Sequence, residues 1–249
     1  MSGHSKWATI KHKKGAVDKA RGKLFNKIAR QLEVAAREGG GDATANATLR
    51  TVMQKAKAAQ MTNDAIDRAV KRGTGENGGG TYEAITYEGY APGGVALLID
   101  VLTDNRNRTG SEIRNIFTKM GGSMAEPGAV GWQFKRQGVV FVGGHVSEDD
   151  VMLTALDAGA DDVADDGGMW RITSDPSRTF EIKAALEASG FEVISADSPM
   201  VSETLVPVTD IDDAKKVLRI MEAIEDNEDV QDVYSNFDMD DDVLEAAAG

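Results

Sequence analysis

Residues 214–237 read AKKVLRIMEAIEDNEDVQDVYSNF, the pattern of an amphipathic helix followed by a strand. Apolar residues recur at three or four positions, which is the spacing that places them on one face of a helix. They are Ala214, Val217, Leu218, Met221 and Ile224. The strand is predicted at Val233–Phe237. A helix and a strand of this kind need a sheet to pack against, and the pair itself does not provide one.

The block just before this pair is already complete. It is predicted to contain a strand at Val139–Val142, a helix from the Ser147 cap to Gly159, a hairpin that turns at Asp165–Gly168, an outgoing strand at Trp170–Thr173, a helix between Pro176 and Gly190, and a strand near Glu192–Ala196. This β-α-β-β-α-β order is that of ferredoxin-like domains. The unpaired helix and strand therefore belong elsewhere.

The block from residue 81 to residue 134 is incomplete in a matching way. Strands are predicted near 81–90 and 94–102, a helix near 109–120, and a strand that ends at Trp132–Phe134. A closing helix and strand are missing, so we predict that residues 205–238 return to supply them. The predicted middle domain is then 81–134 plus 205–238, and residues 135–204 form a domain inserted into it. The acidic stretch Asp238–Asp242 that follows is predicted to be frayed.

The N-terminal third is predicted to be a small helical bundle, domain 1–73. Its first helix runs from Val17 to about Glu38, with Val17, Ala20, Leu24, Ile28 and Leu32 forming one apolar stripe. The second runs from about Ala47 to Gln60, and the third from a Thr62 or Asn63 cap to Gly73. The glycine-rich stretch 74–80 is predicted to be a linker. The predicted fold class is α+β and multi-domain, with a three-helix domain followed by two ferredoxin-like α/β domains.

Charge is divided unequally along the chain. Residues 1–72 hold 16 Lys and Arg against 6 Asp and Glu, a net charge of +10, whereas residues 73–249 carry a net charge of −23. Local potential decides where a polyanion binds, because each neutralised phosphate releases counterions whatever the distant charges are. The distribution therefore favours a nucleic-acid-binding N-terminal region, although the whole chain has a net charge of −13.

Several classes of protein are disfavoured by the sequence. The chain has no cysteine, which excludes disulfide frameworks and thiolate chemistry. Its longest apolar run, Val95–Ile99, is far too short to span a membrane, and no secretory signal is evident, so a cytoplasmic location is predicted. Gly73-x-Gly75-x-x-Gly78 follows a helix and precedes a strand, the reverse of the dinucleotide-binding context. No catalytic residue, cofactor or metal site is predicted, and the protein is predicted not to be an enzyme.

The first candidate site is a basic arm at residues 6–14. Its lysines can lie along phosphates, and its indole can stack on a base or a ribose. The candidates are Lys6, Trp7, Lys11, His12, Lys13 and Lys14. A disordered basic leader is the alternative, but Trp7 and Ile10 argue against it. Whether these two side chains bind nucleic acid or anchor the arm on the bundle stays open.

The second candidate is a cationic stripe on the first helix, formed by Lys19, Lys23 and Lys27, with Arg30 one further turn along. An ordinary solvated helix face alternates charges of both signs to form i,i+4 pairs. This stripe has no carboxylate in register, which favours a role in binding phosphates.

The third candidate is the loop Asp104–Thr109, between a strand and a helix. Thr109 and Glu112 have the spacing of a capping box, which explains part of the loop. A capping box does not explain Arg106 and Arg108, because cations are disfavoured at the positive end of a helix dipole. We predict that these two arginines contact a ribose-phosphate or a partner.

Several segments resemble the YebC family. They are Gly3–Lys14, Arg37–Asp42, Tyr87–Gly94, Asp104–Thr109 and Gly131–Phe134. The resemblance covers nearly the whole chain and implies a helical N-terminal domain and two α/β domains, one interrupted by the other. It also implies nucleic-acid binding, because bacterial members are described as probable transcriptional regulators that bind DNA and a mitochondrial relative as a translational activator. No catalytic residue or cofactor comes with it.

Charge and resemblance together predict a regulator of gene expression that binds DNA through its basic N-terminal domain. The alternative is a translational activator that binds ribosomal RNA, and a third interpretation is a protein-interaction scaffold. No helix carries the set of Asn, Gln and Arg that reads base edges, which favours recognition of backbone and shape. The acidic domains are candidates for protein partners, and a monomer without membrane contacts is predicted.

Overall fold

Three helices form the N-terminal region of the computed structural model, which describes residues 17–76, 78 and 80–248. They are α1 (Val17–Gly39), α2 (Ala47–Ala58) and α3 (Asn63–Gly73). The predicted Thr62 cap is present, since its hydroxyl accepts a hydrogen bond from the Ala65 N–H at 3.3 Å. The helices enclose a core of their own, with Ile28, Leu32 and Ile66 buried.

Strands and helices alternate after residue 80. In chain order they are β1 (Glu83–Tyr90), β2 (Ala96–Thr103), α4 (Arg106–Lys119), β3 (Ser123–Ala125), β4 (Phe134–Arg136), β5 (Gly138–Gly143), α5 (Glu148–Asp157), β6 (Asp162–Asp165), β7 (Met169–Ser174), α6 (Thr179–Ala188), β8 (Val193–Asp197), β9 (Met200–Ser202), β10 (Val206–Pro207), α7 (Ile211–Glu225), β11 (Val230–Ser235), β12 (Phe237–Asp238) and α8 (Asp241–Ala248). Single 3-10 turns lie at Pro92–Gly94, Gly131–Gln133 and Pro176–Arg178.

The described chain divides into two compact units. One contains residues 131–207 and 234–238, and the other contains the described part of residues 9–130 together with 208–233 and 239–249. The helical region and the sheet that begins at β1 therefore belong to the same unit. The three-domain division with boundaries at 73, 134 and 204 stays a prediction.

A four-stranded sheet in the order β11-β2-β1-β3 organises the larger unit. β1 and β2 are antiparallel, with Glu83 opposite Thr103 and Tyr90 opposite Ala96. β11 is far along the chain yet lies beside β2, and the Leu102 N–H donates to the Asp229 carbonyl at 2.9 Å. Helices α4 and α7 pack against each other, burying Ile113 and Phe117 on α4 and the inward row of α7.

The smaller unit is built on a second four-stranded sheet, in the order β6-β7-β5-β8. The pairs β5–β7, β5–β8 and β6–β7 are all antiparallel. Val140 and Val142 on β5, Ile172 on β7, and Ile182 and Leu186 on α6 are buried in one core. With α5 and α6 as the two crossovers, this is the β-α-β-β-α-β arrangement predicted from the sequence. The predicted mixed fold, with a helical region followed by sheet domains, is confirmed.

The prediction of a frayed acidic tail is wrong. Met239 and Leu244 are buried, and α8 packs against α7. The acidic residues are followed by a helix-forming run from Val243 to Ala247, and α7 covers the apolar side of this run. No helix in the described residues has both the length and the apolar character that a membrane span requires.

Candidate nucleic-acid interface

Much of the predicted interface lies outside the described residues. This holds for the whole arm, with Lys6, Trp7, Lys11, His12, Lys13 and Lys14, and for the side chain of Lys19. Their roles stay predictions. The structure does describe Lys23, Lys27 and Arg30, which we call the cationic face of α1, and the two loop arginines Arg106 and Arg108.

The cationic face lies against the C-terminal end of α7. Lys23 Nζ donates to Asp226 Oδ1 at 2.7 Å and approaches the Asp226 carbonyl oxygen at 3.4 Å. Lys27 Nζ donates to the Glu225 carbonyl oxygen at 3.0 Å. Both lysines therefore contact residues 225–229, which we call the acidic segment.

The C-terminal end of α7 lacks compensating hydrogen-bond donors and positive charge in its own sequence. The last carbonyls of a helix lack partners within the helix, and the helix dipole makes that end negative. A basic residue normally compensates there, but the last turn of α7 has none. Instead the chain continues with Glu225, Asp226, Glu228 and Asp229. The cations of α1 supply the donors and the positive charge that this end lacks.

Arg30 extends the same contact by one turn of α1. Its Nη1 donates to the Glu228 carbonyl oxygen at 2.6 Å and to Asp229 Oδ1 at 2.7 Å. Its guanidinium also lies 5.6 Å from the centroid of the Tyr82 ring, within range of a cation–π interaction. Next to it, Gln31 Nε2 donates to Gln231 Oε1 at 3.2 Å.

Asp229 is a buried carboxylate that accepts hydrogen bonds from Arg30 and from donors on β2 and α4. Its Oδ2 accepts from Thr103 Oγ1 at 3.0 Å, Thr109 Oγ1 at 2.6 Å and Arg108 Nη2 at 2.7 Å. Burial on its own raises the pKa of a carboxyl group. The hydrogen bonds from Thr109, Arg108 and Thr103 outweigh burial and lower the Asp229 pKa below its ordinary value of 3.8. The carboxylate is therefore held in its charged form.

The loop before α4 is explained by this carboxylate more than by helix capping. The N-cap is Asn105, whose Oδ1 accepts from the Arg108 N–H at 3.1 Å. The predicted capping box is wrong, because Thr109 lies inside the helix and its hydroxyl bonds Asp229 instead. Glu112 accepts from Asn227 Nδ2 at 2.7 Å.

The two loop arginines have different surroundings. Arg108 bridges Asp229 and Asp104, with Nη2 2.9 Å from Asp104 Oδ1. The pKa of Arg108 is raised above its ordinary value, and the largest cause is the hydrogen bond to Asp229. These carboxylates account for a cation at the positive end of the helix. The side chain of Arg106 is exposed, while its carbonyl oxygen accepts from the Tyr87 hydroxyl at 3.2 Å.

The structure thus brings Lys23, Lys27, Arg30 and Arg108 together around the acidic segment. The stripe has no carboxylate in register on α1 itself, but Asp226 and Asp229 provide partners from the far end of the chain, which the sequence analysis did not foresee. Whether the same cations bind nucleic acid stays a prediction.

Sequence reasoning missed Asp226 and Asp229. A run such as Glu225-Asp-Asn-Glu-Asp229 is typical of a solvated turn, and nothing local marks its last residue as buried. A usable signal lay in two unusual local patterns of opposite sign. One is a helix face with cations only, and the other is a helix C-terminus with acids only. Each pattern is unfavourable alone, and together they cancel.

The arrangement offers donors to oxygen atoms and no constellation for metal chemistry. Among the described residues, no group of three or more His, Asp or Glu is placed to hold a metal ion. The described site is thus a set of cations on α1 and α4 that bind oxygen acceptors. Fold and site together define a multi-domain α+β protein with a basic helical region packed against an acidic α/β domain.

The chain belongs to the TACO1/YebC family. The model for the N-terminal domain of TACO1/YebC proteins matches residues 5–76, and the model for the second and third domains matches residues 82–237. The resemblance found in the sequence motifs is therefore confirmed over nearly the whole chain.

Relatives and a solved structure agree with this assignment. A protein of Halothermothrix orenii named "Probable transcriptional regulatory protein" is 52% identical over 248 residues, covering 98% of each chain. A protein of Beutenbergia cavernae with the same name is 52% identical over 247 residues, again covering 98% of each. The crystal structure of a conserved hypothetical protein from Aquifex aeolicus superimposes with a TM-score of 0.80 at 40% identity, covering 91% of this chain and 94% of that one.

Proposed function

We propose that this protein regulates gene expression by binding nucleic acid through residues 1–72, without catalysing a reaction. The observation that carries the proposal is the charge division, +10 in residues 1–72 against −23 in the remainder. A basic region attached to an acidic body confines contact with a polyanion to one part of the molecule. The names of the bacterial relatives support a role in transcription and make duplex DNA the first target to test.

The chemistry of the region suits phosphates better than base edges. Its cations are mostly lysines, which act as point charges towards phosphate oxygens. Contacts of this kind fix position on a nucleic acid but carry little sequence information. We therefore expect binding to depend steeply on salt and weakly on sequence.

The proposal is tested by a salt series on the full chain, with binding to a short duplex DNA followed by fluorescence anisotropy. Replacing Lys11, Lys13 and Lys14 by Gln should weaken binding and make the log–log salt dependence shallower, by about 0.9 for each phosphate that the variant no longer neutralises. The matched control replaces Lys135, Lys183 and Lys216 by Gln, which removes the same charge from surface ion pairs of the acidic body. Equal effects of the two variants would contradict binding through the N-terminal region.

An RNA target is the second candidate, and the indole at position 7 supports it. Stacking is worth about 1–3 kcal/mol per base and needs an accessible base face, which RNA loops offer and an intact duplex hides. A translational role therefore predicts that Trp7→Ala weakens binding to a structured RNA hairpin more than binding to duplex DNA. Equal losses of affinity for both, with unchanged thermal stability, would favour DNA and transcription.

A further inference from the structure

The acidic segment presents to α1 the kind of atoms that a nucleic-acid backbone presents. The cationic face receives carbonyl oxygens from residues 225, 226 and 228 and carboxylate oxygens from Asp226 and Asp229. These acceptors follow one another along a single stretch of chain and carry net negative charge. Phosphate oxygens on successive nucleotides offer Lys and Arg the same combination of acceptor atoms and charge.

The contact between α1 and the acidic segment is polar. It consists of hydrogen bonds and ion pairs made by Lys23, Lys27 and Arg30. The buried apolar residues of α1, such as Ile28 and Leu32, pack in the core that α1 shares with α2 and α3. In the Lys23–Asp226 pair the side chains are 37% and 71% exposed. Exposed pairs of this kind contribute little to stability.

Separation of the two surfaces would leave the buried carboxylate with partners. When Arg30 withdraws from Oδ1 of Asp229, the other oxygen, Oδ2, still accepts from Thr103, Thr109 and Arg108. A buried charge without a partner is what normally makes such a separation costly. Here that cost is avoided, because these three donors lie on β2 and α4 and stay with the acidic segment.

We propose that the acidic segment masks the cationic face of α1 in the free protein and that nucleic acid displaces it on binding. The inference rests on the proposed function, since it names how the same basic region is regulated. The open form is the binding-competent one, so the apparent dissociation constant exceeds the intrinsic constant by the inverse of the open fraction. Weakening the mask should therefore tighten binding.

Two aspartates at opposite ends of α7 provide a matched test. Asp226 pairs with Lys23 at 2.7 Å, and Asp213 pairs with Lys216, also at 2.7 Å. Asp226→Asn and Asp213→Asn change the charge of the chain equally, but only the first removes an ion pair of the cationic face. At one fixed salt concentration, Asp226→Asn should tighten binding to the short duplex DNA roughly two- to five-fold, as the loss of one exposed ion pair allows. Asp213→Asn should change it much less.

Separation of the cationic face from the acidic segment can also be measured as a distance between two labels, one on α2 and one on α7. The chain has no native cysteine, so two introduced cysteines can be spin-labelled selectively. Gln54 on α2 and Glu222 on α7 are both exposed and serve as label sites. Pulsed electron–electron double resonance should give one narrow distance distribution between the two labels in the free protein. A saturating amount of the duplex DNA, or of an RNA hairpin, should shift it to longer or broader distances.

The outcomes separate this inference from the proposed function. If the probes bind, but the distance distribution is unchanged and the two Asp→Asn variants bind equally well, masking is overturned while nucleic-acid binding stands. If neither probe binds the wild-type chain or the Asp226→Asn variant, both the proposed function and the mask are overturned. Tighter binding by Asp226→Asn together with a distance shift supports both.

Discussion

Arg30 and Asp229 are 199 positions apart in the chain, and an ion pair of 2.7 Å joins Arg30 Nη1 to Asp229 Oδ1. The same carboxylate holds the end of β2 through Thr103 and the first turn of α4 through Arg108 and Thr109. One buried side chain thus links the helical region to the sheet domain, and its removal should affect both.

Asp229→Ala is expected to destabilise the larger unit by roughly 2–4 kcal/mol, because two arginines and two hydroxyls would lose a shared acceptor. Urea unfolding followed by circular dichroism measures this change in stability. Asp226→Ala is the control, since the Asp226 side chain is 71% exposed and its removal should cost less than about 1 kcal/mol. Equal costs for the two variants would contradict the convergence of hydrogen bonds on Asp229.

The pH dependence of stability should report the same carboxylate. The folded pKa of Asp229 is lowered from 3.8, so the ionised group stabilises the fold above the unfolded pKa, and this stability is lost as pH falls through the folded pKa. The difference in unfolding free energy between wild type and Asp229→Asn should be constant from about pH 8 to about pH 5 and should shrink below about pH 4. A difference that varied between about pH 5 and about pH 8 would point to another titrating group.

Gly73 is required where α3 meets α1. A Cβ atom at this position would collide with the Glu33 carbonyl oxygen and lie 2.8 Å from Ala36 Cβ. Gly73→Ala should therefore lower stability by about 1–3 kcal/mol, because helix backbones would have to move apart. Gly22 lies in α1 with nothing near its missing Cβ, so Gly22→Ala should raise stability by roughly 0.4–1 kcal/mol. Thermal unfolding of the two variants checks both signs.

The Glu88 carboxylate accepts two backbone hydrogen bonds from the loop that follows β3 and so holds this loop in place. Its Oε1 accepts from the Gly128 N–H at 2.6 Å and its Oε2 from the Val130 N–H at 2.5 Å. Glu88→Gln keeps the shape but places an amide donor against one of two backbone donors, at a cost of about 1–3 kcal/mol. Hydrogen exchange at Gly128 and Val130 should accelerate. Glu83→Gln, an exposed change on the same strand, should leave both amides protected.

Fragments test the predicted domain boundaries. β5 to β8 and both crossover helices lie within 135–204, so this fragment should fold alone with cooperative unfolding. Fragment 81–134 should not fold, because β11 and α7 supply its missing edge strand and its missing cover. A well-dispersed NMR spectrum from isolated 81–134 would contradict the insertion of one domain into the other.

Local rules were sufficient for the helices of the N-terminal region. The Thr62 cap and the end at Gly73 match the bounds that the sequence predicts for α3, because a capping side chain acts within one turn; the C-cap is Thr74, and Gly75 follows it with positive φ. The apolar stripe of α1 was right for Ile28 and Leu32, which are buried, and wrong for Leu24, which is 41% exposed. Leu24 lies on the same turn as Lys23, away from the core that α2 and α3 cover.

Pairings between distant segments could be inferred only in part. That β11 joins the sheet of β1 to β3 could be inferred, because those strands alone leave the sheet incomplete, but its place beside β2 was not predicted. The pairing of the cationic face with the acidic segment did not follow, because side-chain partners about 200 positions apart leave no periodic trace in either segment. The burial of Asp229 depends on donors from three elements, which no local pattern specifies.

The strand order of the sheet also determines how long its first strands wait for their neighbour during translation. β1, β2 and β3 leave the ribosome early, but their neighbour β11 begins only at Val230, about a hundred residues after β3 ends. At roughly 5–20 residues per second, the three strands wait on the order of 5–20 s with one edge and one face uncovered. The βαββαβ unit has all its strands within that interval and can complete its own sheet meanwhile. Once residue 205 has emerged from the ribosome, a stalled nascent chain would therefore present a finished βαββαβ unit together with an incomplete four-stranded sheet, the state with the most apolar surface for a chaperone to cover.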